Sequence, residues 1–215
     1  MTERQLMWFR GDLRVRDNTA LAAAMSAGPT VALFLLSPQQ WQEHDDAPCK
    51  VDFWLRNLAE LARELRALNV PLLLRTAAHW RDAPKVIATL CREHGITRVQ
   101  VNDEYGIHET RRDEQVAAEL AKIDVDFQGH LDQLFFQPGS VLTQSGGYFK
   151  VFSQFRKACY QRLHTALPAR IATPPAQASL DITSDSVPGA VKGFATPDAT
   201  LQALWPAGED AALER

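Results

Sequence analysis

The chain has 215 residues, enough at about 100–200 residues per domain for one complete domain and a smaller remainder, but not for two full domains. Hydrophobic residues make up 46% and charged residues 23%, which argues against a disordered, collagen-like or disulfide-stapled chain. The net charge of −3 disfavours a nucleic-acid binder that works by bulk positive charge, so any phosphate contact has to come from a local patch.

The opening residues lead into a short apolar run without the h-region of a signal peptide, and residues 6–9 read as a first β strand. Asp17-Asn18 offers an N-cap to a helix over Thr19–Ala27, and Thr30–Leu36 reads as a second strand. Residues 51–68 have helical spacing, with Phe53, Leu55, Leu58, Leu61, Leu65 and Leu68 on one face; Asn69-Val70-Pro71 stops that helix before a third strand at 71–74. A helix over Ala83–His94, a strand at 99–102, a helix at 110–123 and a strand at 125–127 complete the rhythm. Strands separated by helices need crossovers, and right-handed crossovers give a parallel sheet with helices on both faces. The expectation is an α/β, Rossmann-like five-stranded parallel sheet in the order 3-2-1-4-5, followed by a C-terminal helical and irregular linker. Neither G-x-G-x-x-G nor G-x-x-x-x-G-K-[ST] is present, which argues against an NAD enzyme or an ordinary NTPase. Cys49, Cys91 and Cys159 lie too far apart for a disulfide framework or a zinc site, and no stretch reaches the roughly 18 apolar residues of a membrane span. A cytoplasmic chain with no membrane partner is expected.

From Leu131 the rhythm stops. Pro138-Gly139 and Gly146-Gly147 are turn signals, and residues 148–163 then read as a helix with Phe149, Phe152 and Phe155 at threefold spacing. Between residues 133 and 180 there is no Asp or Glu, while Lys150, Arg156, Lys157, Arg162 and Arg170 add five positive charges. Basic residues interleaved with aromatics can bind nucleic acid, but the favoured reading is an aromatic stripe facing a core with its basic residues wet. Residues 168–206, dense in Ala, Pro, Ser, Thr and Asp, read as an extended surface linker. The last stretch begins a helix, with Pro206 and acids before Ala-Ala-Leu, and is either a frayed end or the start of a further domain. The division expected is 1–131 for the α/β domain, 132–204 for a linker with one helix, and 205–215 for the opening of a further unit.

Ligands of open parallel sheets bind beyond the carboxyl ends of the strands, at the switch point. Two loops flank it. In residues 10–18, Arg10, Arg14 and Arg16 interleave with Asp12 and Asp17, and the five charges are expected to satisfy one another as a salt-bridged loop. In residues 102–109, Asp103, Glu104, Tyr105, His108 and Glu109 bring a carboxylate beside an aromatic and an imidazole. That set can hydrogen-bond the amide or pterin edge of a flat heterocycle and would repel phosphates; equally, Glu109 can merely begin the helix that follows. No helical i, i+4 ligand pair supports a metal there. His44-Asp45-Asp46 with Cys49 reads as an exposed loop rather than a metal site. No nucleophilic triad or paired-carboxylate arrangement is apparent, so no catalytic residue is assigned in this chain.

The stretch Met7-Trp8-Phe9-Arg10-Gly11-Asp12-Leu13-Arg14-Val15-Arg16-Asp17-Asn18-Thr19-Ala20-Leu21 resembles the opening W-F-R-x-D-L-R-x-x-D-N-x-A-L of DNA photolyases and cryptochromes. The resemblance continues through Leu36-Ser37-Pro38-Gln39-Gln40-Trp41, Asn102-Asp103-Glu104-Tyr105, Pro138-Gly139-Ser140-Val141-Leu142-Thr143 and Tyr148-Phe149-Lys150-Val151-Phe152-Ser153-Gln154-Phe155. It spans essentially the whole chain and is closest to bacterial cyclobutane-pyrimidine-dimer (deoxyribodipyrimidine) photolyases. It implies an N-terminal light-harvesting domain that carries an antenna chromophore, a long linker, and a helical C-terminal domain that binds FAD and damaged DNA. Residues 205–215 would open that helical domain, the stripe from Tyr148 would be a linker helix packed against the domains, and this chain alone would be inactive. The relatives most similar to it use methenyltetrahydrofolate, held partly by an Asn-Glu pair that aligns with His108-Glu109. Glu109 carries over as the pterin-binding carboxylate, with Tyr105 beside it. His108 departs from Asn, and an imidazole does not copy the donor and acceptor of an amide in one geometry, so a flavin or deazaflavin antenna stays open. Partners implied are the chain's own helical domain and, through it, damaged DNA; a monomer is expected. A stand-alone nucleotide or chromophore carrier and a cryptochrome-like photoreceptor fragment are the other readings. Residues 1–131 hold 16 basic and 19 acidic residues and the remainder seven of each, which suits an acidic antenna carrier.

Overall fold

The computed structural model describes residues 3–215. Strands β1 (Arg4–Phe9), β2 (Thr30–Leu36), β3 (Leu72–Thr76), β4 (Ile96–Asn102) and β5 (Asp126–His130) form one sheet in the order β3-β2-β1-β4-β5. Every neighbouring pair is parallel, as expected from the alternation of strands and helices. The helices between them are α1 (Thr19–Ala27), α2 (Pro38–Glu43), α3 (Pro48–Ala67), α4 (Ala83–His94, after a 3-10 turn at Trp80–Asp82) and α5 (Ile107–Ala121).

Successive strand residues point to opposite faces, and β1 shows the result. Leu6 and Trp8 join a core with Ile87, Leu90 and Cys91 of α4 and Val116 and Leu120 of α5. Met7 and Phe9 join a second core with Leu21 of α1 and Leu58, Leu61 and Leu65 of α3. Local chemistry sets the helix ends. Asn18 caps α1 by accepting from the Leu21 N–H, Pro48 sits in the first turn of α3 where its missing N–H costs nothing, and α4 ends on Gly95 at φ 62°. α5 starts at Ile107 rather than at Thr110, which places His108 and Glu109 in its first turn. α2 and the 3-10 turn lie outside the expected elements; both are too short for a period to show.

Residues 166–198 carry no helix or strand and wrap the β3 edge of the sheet. Asp185 N–H donates to the Leu72 carbonyl, while Ser184 Oγ and Asp185 Oδ2 accept from the Leu72 and Leu74 N–H groups. Gln177 bridges Thr30 N–H, Thr30 O and Asn69 O. Leu180 and Ile182 pack against one core and Val187, Val191 and Phe194 against the other. An edge strand with free N–H and C=O groups templates aggregation, and this segment covers it.

Two expectations are corrected. The aromatic stripe does not face a core: α6 (Phe152–Thr165) has no buried residue, and Phe152 and Phe155 are 72% and 37% exposed. The two faces of the sheet are already covered, one by α1 and α3 and the other by α4 and α5. The charges of residues 10–18 also do not satisfy one another. Arg10 pairs with Asp113, Arg14 with Asp132 and Arg16 with Asp210, whereas Asp12 accepts from Arg10 N–H and Asn102, and Asp17 from Ile171 N–H. Among the described residues no helix is long and apolar enough to cross a membrane. After the linker, α7 (Ala199–Leu204) and α8 (Glu209–Leu213) lie against α3: Gln202 donates to Asp52, Arg56 to the Trp205 carbonyl, and Gly208 N–H to Asn57.

Candidate ligand-binding site

The crossovers leave β1 and β4 toward opposite faces, so a crevice opens where the two strands end. Asn102, the last residue of β4, ties it together. Its amide donates to Asp12 (2.6 Å) and Asn18 (2.9 Å), its side-chain oxygen accepts from Ala20 N–H (2.9 Å), and its carbonyl accepts from Arg10. Asn102, Asp12 and Asn18 are all buried, so the start of α1 and the loop after β1 are fixed by one satisfied polar network.

Above this network lies a cleft of about 220 Å³. Four of the five tryptophans line it: Trp8 from β1, Trp41 from α2, Trp54 from α3 and Trp80 from the 3-10 turn. Trp41 and Trp54 meet at 5.3 Å between centroids. The Arg112 guanidinium sits 4.8 Å from the Trp8 ring and 5.1 Å from the Trp80 ring, and Arg10 is 4.8 Å from Trp8. Arg112 is locked by Glu104 and Asp113, each at 2.7 Å. Burial works against its charge, yet Asp113 and Glu104 hold its pKa above the ordinary value.

Two donors on the cleft wall are left over. Trp8 is 2% exposed, and its Nε1–H has no partner among the described residues. Arg10 Nε–H is buried and unpartnered as well, 3.8 Å from Glu104 and beyond hydrogen-bonding distance. A buried N–H without an acceptor costs about 1–3 kcal/mol, and both atoms lie beneath the cleft surface, closed to solvent. The cleft itself, walled by four indoles, suits a flat heterocycle.

Of the residues singled out in the sequence, Glu109 lines the cleft. Its carboxylate folds back on Gly106, where any Cβ would come within 2.0 Å of it. His108 is exposed, with its ring 6.2 Å from that of His44, which lines the cleft. Tyr105 is not among the lining residues. It sits on the other side of the loop, where burial, then Asp103 and Asp132, raise its pKa. Glu104 is occupied by Arg112. The loop after α2 is exposed as expected, yet His44 and Asp46 line the cleft, as does Lys50, 4.7 Å from the Trp54 ring. No group of three or more His, Cys, Asp or Glu among the described residues is placed to hold a metal ion. The signal that could have found the cleft is the tryptophans, a rare residue type contributed by four separate elements.

The family model for DNA photolyase matches residues 5–175. The deoxyribodipyrimidine photo-lyase of Vibrio cholerae is 39% identical over 155 residues, covering 72% of this chain and 33% of the relative. A bacterial class III photolyase from Agrobacterium tumefaciens superposes with a TM-score of 0.75 at 24% identity, over 100% of this chain and 44% of the other. An archaeal photolyase from Sulfolobus tokodaii with two FAD molecules, its structure implying a novel light-harvesting cofactor, superposes with a TM-score of 0.71 at 22% identity, over 98% and 45%. The chain thus spans less than half of these proteins, corresponding to their N-terminal part.

Proposed function

Since the chain belongs to the DNA photolyase family, we propose that it is the light-harvesting portion of a photolyase that repairs cyclobutane pyrimidine dimers, and that its tryptophan cleft holds the antenna chromophore. The observation that carries this reading is a cleft at the switch point of the sheet lined by four indoles, with Glu109 also on its lining. When bound, such a chromophore supplies excitation energy to the reduced FAD of the second domain, whose electron opens the dimer.

What this chain does is bind and orient. At about 220 Å³ the cleft is smaller than the roughly 300–1,000 Å³ of sites that swallow a whole ligand, so it takes a ring system and leaves the substituent outside. The indoles of Trp8, Trp41, Trp54 and Trp80 supply the apolar surface against which the ring lies. Glu109 accepts from N–H groups at the mouth, with His44 and His108 at the rim and Tyr105 flanking the same loop. Pterin, flavin and deazaflavin rings are all flat enough for an indole-lined cleft, and a pterin's exocyclic amine adds the donors that Glu109 requires. The fixed Asn102 network keeps these groups in place without an ordering cost on binding.

The remaining partners follow from the same reading. α6 exposes Phe152, Phe155 and Tyr160, an apolar and basic face suited to packing against the helical domain, through which DNA is bound. The test is titration of the purified chain with methenyltetrahydrofolate, a flavin mononucleotide and a deazaflavin, followed by absorbance and by retention through gel filtration, together with a dimer-repair assay with added FAD under blue light. Retention of one chromophore without repair is expected. No binding of any of the three, or robust repair by this chain alone, refutes the assignment.

A further inference from the structure

The tryptophan cleft takes a ring and leaves its substituent outside, and a neighbouring feature of the fold lies where that substituent emerges. A second cleft, of about 480 Å³, opens between the loop after β1, α3, the linker and α8. Gly11 and Trp54 line both clefts, so the two meet along this pair. Gly11 is exposed, and its φ lies outside the left-handed region. Apart from its chain neighbours, a Cβ built on it would have one atom within 4 Å, Glu104 Oε1 at 3.8 Å, which is ordinary contact. Neither crowding nor backbone conformation therefore requires glycine here; what the missing side chain leaves is open space over the divide. Together the two clefts fall within the roughly 300–1,000 Å³ of sites that take a whole ligand.

The lining of the second cleft selects the kind of substituent. Leu13, Phe53 and Leu213 give it apolar surface, and its charges cancel: Arg14, Arg16 and Arg170 against Asp12, Asp17 and Glu209. Most of these groups are already engaged. Arg14 pairs with Asp132 and donates to the Asp17 carbonyl, and Arg16 pairs with Asp210 at 2.8 Å. Asp12 accepts from Arg10 N–H and Asn102, Asp17 from Ile171 N–H, and Glu209 from Arg16 N–H. A phosphate or carboxylate entering here meets three carboxylates and no surplus of cations, and Asp132 and Asp210, which hold Arg14 and Arg16, add to the negative charge around it. A hydroxyl both donates and accepts, and so matches guanidinium and carboxylate alike.

We propose that the second cleft binds an uncharged, polyhydroxylated side chain carried by the ring in the tryptophan cleft, the chain crossing between the two at Gly11. The proposal rests on the reading of the tryptophan cleft as a ring site and narrows its ligand to a heterocycle bearing a polyol, as against one bearing a phosphate or glutamyl carboxylates. The carbons of the side chain lie against Phe53 and Leu213, and its hydroxyls face the arginines and carboxylates.

The experiment compares three flavins that share one ring system, by fluorescence titration of the 215-residue chain: lumiflavin, with a methyl group in place of the side chain; riboflavin, with an uncharged polyol; and flavin mononucleotide, the same polyol with a phosphate. Riboflavin is expected to bind about tenfold tighter than lumiflavin, the worth of one or two net hydrogen bonds, and flavin mononucleotide no tighter than riboflavin. Ala212→Trp fills the second cleft from α8 at a position that does not line the first, and Gly11→Leu closes the divide; each brings riboflavin down to the affinity of lumiflavin, and in Ala212→Trp lumiflavin binds as it does to the unmodified chain. Equal affinities for riboflavin and lumiflavin overturn the proposal and leave the ring site standing. Tighter binding of flavin mononucleotide than of riboflavin overturns it in favour of an anion site, and a riboflavin preference that survives both substitutions shows that the side chain lies elsewhere. If none of the three flavins binds, the proposal fails, and retention of methenyltetrahydrofolate decides whether the ring site fails with it. If a variant fails to fold, the three-ligand comparison on the unmodified chain still decides.

Discussion

Replacing Trp8 by Phe separates a residue that merely fills the core from one that serves a ligand. Trp8 is buried and lies under both Arg10 and Arg112. Truncating a buried Trp to Ala usually costs about 3–5 kcal/mol. Phe removes less: roughly 40 Å² of apolar contact, worth about 1 kcal/mol, with most of the cation–π attraction kept because an aromatic face remains. It also removes an N–H that has no acceptor, a group whose burial costs about 1–3 kcal/mol. The two changes oppose each other, and Trp8→Phe is expected to lie within about 1 kcal/mol of the unmodified chain in urea unfolding followed by far-UV circular dichroism.

Chromophore binding responds differently. Trp8 also forms part of the cleft wall, and losing roughly 20–60 Å² of its contact with a bound ring removes about 0.5–1.5 kcal/mol of binding, or roughly a two- to twelvefold rise in Kd. The assay is fluorescence titration of the two proteins with whichever chromophore the unmodified chain retains. Near-neutral stability with weakened binding is the expected signature. Destabilisation above about 2 kcal/mol with unchanged affinity refutes the reasoning, because it would mean that the indole packs the core and does not meet the ligand.

Asn102→Ala leaves the Asp12 carboxylate, the Asn18 side chain and the Ala20 N–H short of one partner each. At about 1–3 kcal/mol per buried unmet group and with overlap between them, a loss of about 3–5 kcal/mol in urea unfolding is expected; a loss below about 1 kcal/mol would show that the network is not what holds the crevice. Cys91 is buried and its thiol pKa is pushed up to about 12, whereas Cys49 is exposed. At pH 8 the Cys91 thiolate fraction is then about 10⁻⁴, so a disulfide reagent should modify Cys49 in the folded protein and reach Cys91 only on unfolding. Equal rates for the two would contradict the packing of α4.

The sheet was legible because its signal is local. Alternation of short apolar runs with amphipathic stretches requires crossovers, and the handedness of crossovers leaves few topologies. The stripe of α6 misled for the complementary reason. Phe152, Phe155 and Leu163 say that a helix has an apolar side and say nothing about which surface meets it; both faces of the sheet were already taken by helices carrying more Leu and Val. The charges of residues 10–18 misled in the same way. Arg14 and Asp132 lie 118 positions apart, and Arg16 N–H reaches Glu209 across 193, so neighbours in the chain were a poor guide to partners in space.

The site was half legible, and the division follows its anatomy. A rule about strand ends pointed to the loop after β4, and Glu109 does face the cleft, because a helix that begins at Ile107 turns its first turn toward β1. Tyr105 precedes the N-cap Gly106 and falls on the side of Asp103 and Asp132 instead. The wall opposite comes from Trp41, Trp54 and Trp80, on three elements whose convergence no spacing encodes. That asymmetry bears on the chromophore. On the proposed assignment, a rim residue such as Glu109 or His108 would meet the ligand where water can replace either side chain, so His in place of Asn there would alter affinity modestly. The buried N–H groups of Trp8 and Arg10 are beyond the reach of water and so of a ring in the cleft, which leaves the indole wall to select by shape. On the proposed assignment, the choice of antenna would follow that wall more than the rim position at which His108 departs from the family pattern.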